Sequence, residues 1–311
     1  MLSTLTQPRY PNAALGIEIG TISAVALQKG GRNQFTLKQG ALIDLPLGLI
    51  DPSFVNRNIA DDAEFAAHLQ LVVENAGLLK QKRWSVALPS TTARTAILAL
   101  DSEPASKNEA EEVLDWKAEQ SFGVPAAELR IATQKISPDR EGRSRYFATA
   151  VKLSVIDEYE THFEAMGWKA GLILPRSVGE ANWLIDKNDQ SDSLLISSNI
   201  EGFTALLLRG SEPAVVRSVT CDASEVNDEI YRLVMFYNDR FGGDRDAGIL
   251  ERLLVVGKNL VPESVQNIAS EALGRQLRVL SSDEIGLDIP ESALAFDDIA
   301  ASAGLAAMGA A

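Results

Sequence analysis

Leu15-Gly16-Ile17-Glu18-Ile19-Gly20-Thr21-Ile22-Ser23 sets a carboxylate inside an apolar run and follows it with a glycine turn and two hydroxyls. Working outward, apolar runs over 14–19, 22–28 and 35–44 are separated by Gly20-Thr21 and Gly30-Gly31, which reads as a meander of three antiparallel strands. Residues 61–79 then carry Phe65, Leu69, Val72, Ala76 and Leu79 at helical spacing. Asp61 followed by Glu64 is an acidic variant of the capping box, two side chains able to satisfy orphan amides at a helix start. Gly77 lies near the helix end, and 84–88 reads as a buried strand stopped by Pro89. Three strands, a helix and a returning strand make one α/β layer.

The next region changes pattern. A strand over 94–100 is followed by a helix from Ser106, capped with Glu109, to about 121, with Ala110, Val113, Leu114 and Ala118 on one face. Strands over 131–136 and 146–153 flank a charged turn, 138–145. Ser154 and Asp157 open a helix carrying Ile156, Tyr159, Phe163 and Met166, ended by Gly167. A strand over 169–174, Pro175 and a helix to about 186 close this part. The polar run 187–193 reads as a linker between lobes. After it the opening pattern returns in outline: strands over 194–197, 203–209 and 214–219, then a helix capped by Asp222 and Glu225 with Val226, Ile230, Leu233, Val234 and Tyr237 inward. A strand over 252–256, a helix over 262–273, a strand over 277–280 and a small-residue helix over 297–308 follow.

Composition narrows the classes. The 311 residues suggest about two domains or lobes. The formal net charge of −14 argues against a nucleic-acid binder, whose affinity comes from Lys and Arg on phosphates, and against direct docking on anionic lipid. Cys221 is the single cysteine, so no internal disulfide framework is possible. His68 and His162 leave little for a histidine-based metal or acid–base site, and both read as solvated or packing residues on helices. No apolar run approaches the roughly 20 residues of a membrane span. The polar start, with Pro8 and Pro11, reads as a frayed tail and not as a signal peptide.

A duplicated meander with an acidic residue and a glycine at its first hairpin suggests an actin-like phosphate clamp, in which hairpin amides point at phosphate and a carboxylate organises a metal's shell. The bland alternative for 18–23 is an ordinary hairpin with glycine in a tight turn. Further stretches extend the pattern: Trp84-Ser85-Val86-Ala87-Leu88-Pro89, the acidic helix at 108–114 running into Asp115-Trp116-Lys117-Ala118-Glu119-Gln120-Ser121-Phe122-Gly123-Val124-Pro125, Glu229-Ile230-Tyr231-Arg232-Leu233-Val234-Met235-Phe236-Tyr237, and Ala301-Ser302-Ala303-Gly304-Leu305-Ala306. Together with 15–21 they resemble the PilM-type proteins of type IV pilus assembly, relatives of the cell-division actin homologue, along nearly the whole chain.

The departures bear on chemistry. Where that family's second phosphate hairpin has Asp-x-Gly, this chain has Ser197-Ser198-Asn199. The family's adenosine-side Gly-Gly segment is Val256-Gly257-Lys258-Asn259, with one glycine. Ten residues separate Arg217 from Asp228, where the family inserts a small subdomain walling the nucleotide cleft.

The resemblance implies an actin-like two-lobe α/β fold with ribonuclease H-like halves, an inserted α+β module in lobe 1, and a reduced or missing small subdomain in lobe 2. The expected boundaries are 13–92 and 168–188 for the lobe 1 core, 93–167 for the module, and 189–311 for lobe 2, its last helix packing back on the core. The implied function is a cytoplasmic scaffold, peripheral to the inner membrane, that binds the cytoplasmic tail of a PilN-like inner-membrane protein and connects to other pilus platform and motor components. Glu18, Gly20, Thr21, Ser23, Gly257, Lys258 and Asn259 would line a degenerate nucleotide cleft, with no catalytic residue, no protein-held metal and no required cofactor, ATP and magnesium being the possible ones. Ile97, Ala99 and Trp116 are the candidate partner-binding residues, the tail lying between module and first lobe; Trp116 alternatively belongs to the core. The turn Arg140-Glu141-Gly142-Arg143-Ser144-Arg145 reads as solvated, with contact to an acidic partner as its alternative. The competing functions are an active actin-like ATPase or small-molecule kinase, and a cytoplasmic component of a type II secretion platform.

Overall fold

The computed structural model describes residues 10–31, 33–185, 191–241, 249–290 and 294–310; residues 1–9 of the expected tail and 187–190 of the expected linker lie outside them. The described residues form two compact units, one drawn from 1–92, 154–182 and 286–311, the other from 93–153 and 183–285.

The first unit is built on the opening meander. Strands β1 (Ala13–Ile17), β2 (Thr21–Lys29) and β3 (Phe35–Asp44) pair antiparallel, Leu15 opposite Ala24 and Ile17 opposite Ile22. Strands β4 (Arg83–Leu88) and β8 (Lys169–Pro175) extend the sheet in parallel on the other side of β1. Every residue of β1 is buried, as expected of a strand covered on both faces, which explains its unbroken apolar run. Helix α1 (Asp62–Asn75) begins where the sequence indicates, Asp61 accepting a hydrogen bond from the Glu64 amide at 2.9 Å. It stops earlier than its apolar spacing suggests: the chain turns at Gly77, φ +71°, and leaves Leu79 55% exposed.

Helix α3 (Leu153–Ala165), expected in the inserted module, packs instead in this first unit. Its apolar stripe meets α1: the Phe65 ring stands edge-on to Tyr159 at 6.1 Å and to His162 at 5.1 Å. Arg57 bridges Asp62 and Glu158, and His162 reaches Asp62 at 3.1 Å. The packing reading of His162 holds, whereas His68 is half-buried. The helix expected to run to 186 is shorter, α4 (Arg176–Ala181), continued by a 3-10 turn over Asn182–Leu184. The last helix, α7 (Phe296–Ala310), returns to this unit, Ser302 Oγ lying 3.1 Å from Ser23 Oγ. It lies so close to α4 that a Cβ on Gly179 would stand 2.4 Å from the Ala301 carbonyl oxygen, so the small residues there serve backbone approach.

The second unit repeats the plan. β9 (Asp192–Asn199), β10 (Gly202–Arg209) and β11 (Glu212–Thr220) form an antiparallel meander, and β12 (Leu250–Val256) and β13 (Arg278–Val279) join in parallel. The order β11-β10-β9-β12-β13 reproduces the order β3-β2-β1-β4-β8 of the first sheet, where β14 (Leu287–Asp288) adds an edge beside β3. Helices α5 (Val226–Phe241) and α6 (Pro262–Leu273) cover the second sheet with Ile230, Leu233, Val234 and Val265. The Tyr237 hydroxyl donates to Asp192 at 2.9 Å and accepts from the Leu250 amide at 3.0 Å, tying helix to sheet. Only 221–225 connect β11 to α5, so the small subdomain is missing at this point, as the short spacing predicts. Two halves with one strand order are the ribonuclease H-like halves of the actin-like fold.

The module also belongs to the second unit, spanning β5 (Arg94–Ala99), α2 (Lys107–Phe122), β6 (Leu129–Ile136) and β7 (Arg145–Lys152). Ser106 caps α2 by accepting from the Glu109 amide, Glu109 answers by accepting from Ala105, and Gly123, φ +71°, ends it. The three strands lie in the order β5-β7-β6, all antiparallel.

Candidate functional site

The turn between β1 and β2 is closed by the Glu18 amide donating to the Thr21 carbonyl at 2.9 Å, while the Gly20 carbonyl accepts from Leu45. Glu18 points at Arg176, with Oε1 3.0 Å from Nη1. Arg176 in turn grips Glu180, one turn along α4, through Nη2 at 2.6 Å and Nε at 2.8 Å. Glu180 is fully buried, and its Oε2 has no hydrogen-bond partner among the described residues. The Glu18 side chain stays 32% accessible, so crowding by protein atoms and not full enclosure pushes its carboxyl above the usual range. Arg176 opposes that rise and Glu180 adds to it. For Arg176, burial works against the charge, but Glu18 and Glu180 outweigh it and hold the guanidinium charged.

Thr21 stays partly accessible beside this turn, whereas Ser23 is buried with its hydroxyl against Ser302, packing α7 rather than offering a donor at the hairpin. In the second unit, Ser197, Ser198 and Asn199 are the last three residues of β9, leading into the turn to β10. The Asn199 side chain accepts from the Glu201 amide at 2.9 Å and so serves its own turn. Gly257, φ +112°, ends β12 so close to Ser198 that a Cβ there would lie 1.9 Å from the Ser198 hydroxyl. Lys258 and Asn259 follow in an exposed turn.

Taken separately, neither turn fits a metal-bound nucleotide phosphate. A magnesium ion between protein and phosphate is usually held by one or two carboxylates with room for its waters. The Glu18 carboxylate is engaged by a resident guanidinium, and the second hairpin carries none. Among the described residues, no group of three or more His, Cys, Asp or Glu side chains is placed to hold a metal ion.

The candidate partner-binding residues divide between two faces. Arg94 of β5 donates to the Phe122 carbonyl of α2, and Leu98, on the same side of the strand, is buried. Side chains alternate along a strand, so Ile97 and Ala99 point away from α2. They line a groove of about 1100 Å³ whose other wall is β11 and the end of α5, residues the sequence reading assigned to lobe 2. Trp116, on α2, is 53% exposed and does not line that groove, so it is not a core residue.

A chain of the PilM–PilN type IV pilus biogenesis complex superposes with a TM-score of 0.76 at 16% identity, covering 98% of this chain and 100% of that one. The fold is PilM-like. A protein from Bacteroides thetaiotaomicron with an actin-like ATPase fold and unknown function gives 0.45 at 11% identity over 96% and 98% of the two chains. The cytoplasmic domain of EpsL, an inner-membrane component of the type II secretion system of Vibrio cholerae, gives 0.48 at 10% identity over 96% and 93%. No protein-family model and no curated protein matches the sequence. Among the described residues, no helix is long and apolar enough to cross a membrane.

Within this PilM-like fold, sequence reasoning missed Arg176 and Glu180. Their i,i+4 spacing behind Pro175 signals an ion pair on a short helix. What aims that pair at Glu18 is the placing of β8 beside β4 and β4 beside β1, which no local pattern carries.

Proposed function

We propose that this protein is a cytoplasmic scaffold of a type IV pilus assembly machine. It binds the cytoplasmic tail of a PilN-like inner-membrane protein, reaches the membrane through that partner, and turns over no nucleotide. The observation that carries the reading is the full-length likeness to a chain of the PilM–PilN complex. Two features of this chain support it. The Glu18 carboxylate is paired with Arg176, which argues against phosphoryl transfer, a chemistry that depends almost wholly on positioned metal and donors. Trp116 stands exposed on a helix fixed at both ends by caps, and a rigid exposed aromatic is the type of side chain that anchors a peptide.

The test is calorimetric titration of the full chain with the cytoplasmic tail of a PilN-like protein from the same genome. Micromolar binding, roughly 8 kcal/mol, is expected. Trp116→Ala should weaken it about ten-fold and leave the thermal melt unchanged, because the ring is mostly in solvent. Absence of tail binding, together with measurable ATP turnover, would replace the scaffold by an enzyme.

A further inference from the structure

Strand β5 is an edge strand, hydrogen-bonded only to β7 in its sheet. The Leu100 amide donates to the Ser144 carbonyl at 2.9 Å, directly opposite it in the β5–β7 register. Even-numbered residues of β5 therefore direct their backbone groups at β7, and Thr95, Ile97 and Ala99 direct theirs outward. No hydrogen-bond partner for those outward groups is found among the described residues. Folded proteins usually guard such an edge with charge, proline or a bulge. The stretch 95–99, Thr-Ala-Ile-Leu-Ala, has no charged residue and no proline, and its register with β7 is unbroken.

The same three residues line the groove of about 1100 Å³, a volume above that of most small-molecule pockets. Its charges are not balanced locally. Asp139 and Glu141 hold Arg143, Asp192 pairs with Arg209, and Glu212 accepts from the Ser137 amide. Arg145, opposite Ala99 and on the same face, donates to the Ser137 carbonyl, and Arg240 lies over the rings of Phe236 and Phe241 at 5.8 Å each. Neither arginine has a carboxylate partner among the described residues. On a protein of net charge −14, this leaves a groove with five arginines against four carboxylates, beside a strand edge that pairs with no further strand, and with Phe236 42% exposed at its rim.

We propose that the groove receives an extended segment of a partner protein in which apolar and acidic residues alternate, its backbone on the open edge of β5 and its carboxylates on Arg145 and Arg240. The inference goes beyond the scaffold reading and does not rest on it, since it fixes the chemistry of the segment and not the machine that supplies it.

The test is selection of displayed random short peptides on the full immobilised chain, followed by fluorescence anisotropy with synthetic copies of the enriched sequences. Enrichment of Asp or Glu at alternate positions between apolar residues is expected, with affinity falling as salt rises. Arg240→Glu, on the exposed end of α5, should weaken these peptides about ten-fold. Ala99→Pro should do the same, because it deletes an outward amide and leaves the β7 ladder its donors; Arg240→Glu carries the test if that variant melts early. Enrichment without acidic residues, no enrichment, or equal binding by both variants overturns the proposal. A PilN-like tail that binds the Arg240→Glu chain unchanged while no acidic peptide binds the wild type also overturns it, and leaves the scaffold reading standing.

Discussion

Replacing Arg176 by methionine would leave Glu180, wholly buried, without the guanidinium that grips it, and would strip Glu18 of its partner. Breaking a buried ion pair on one side costs about 3–5 kcal/mol, because the remaining charge stays uncompensated. We expect Arg176→Met to lower the urea midpoint, and Arg176→Met with Glu180→Leu to recover most of the loss. Equal midpoints for wild type and the single variant would show that the triad is not part of the stability of the fold. Glu18 was legible as a candidate because it is a carboxylate inside an apolar run, directly before a glycine turn. Its pairing was not, because the two partners meet only through the order of three strands. Ser23 shows the same limit: a hydroxyl beside a glycine turn reads as a donor for a ligand, while the structure gives it to Ser302.

At the scale of elements, periodicity and capping carried far. Strand and helix cores fall where their spacing put them, and α6 spans Pro262–Leu273 as read from sequence. Helix α3 was correctly seen as a helix and wrongly assigned to the module, because an apolar stripe states that a helix packs and not against what. Its partner, Phe65 of α1, comes from the opening lobe. The α4–α7 contact yields a prediction of this scale. A methyl on Gly179 meets the carbonyl oxygen of Ala301, so Gly179→Ala must push the helices apart. Overpacking of this type costs about 1–3 kcal/mol. Thermal melting should show the loss, and Gly48→Ala gives no such clash, since nothing lies within 4 Å of the added carbon, although its φ of +79° brings a backbone penalty of its own. A Gly179→Ala chain melting at or above the wild type would contradict this close approach. The sequence reading grouped Ile97 and Ala99 with Trp116, and the side of β5 that α2 covers separates them.

For the whole molecule, the repeat of one strand order in two units was readable as a recurring meander-plus-helix pattern without sequence identity. The short connection from β11 to α5 was readable too, from the ten residues between Arg217 and Asp228. The presence of a resident cation at Glu18 was not: the carboxylate that the hairpin reading offered to a ligand is engaged by Arg176. The direct measurement is calorimetry of the purified full chain with ATP and magnesium, run beside Glu18→Ala. No saturable heat is expected for either protein, and no phosphate release. Micromolar binding to the wild type, abolished by Glu18→Ala, would contradict it.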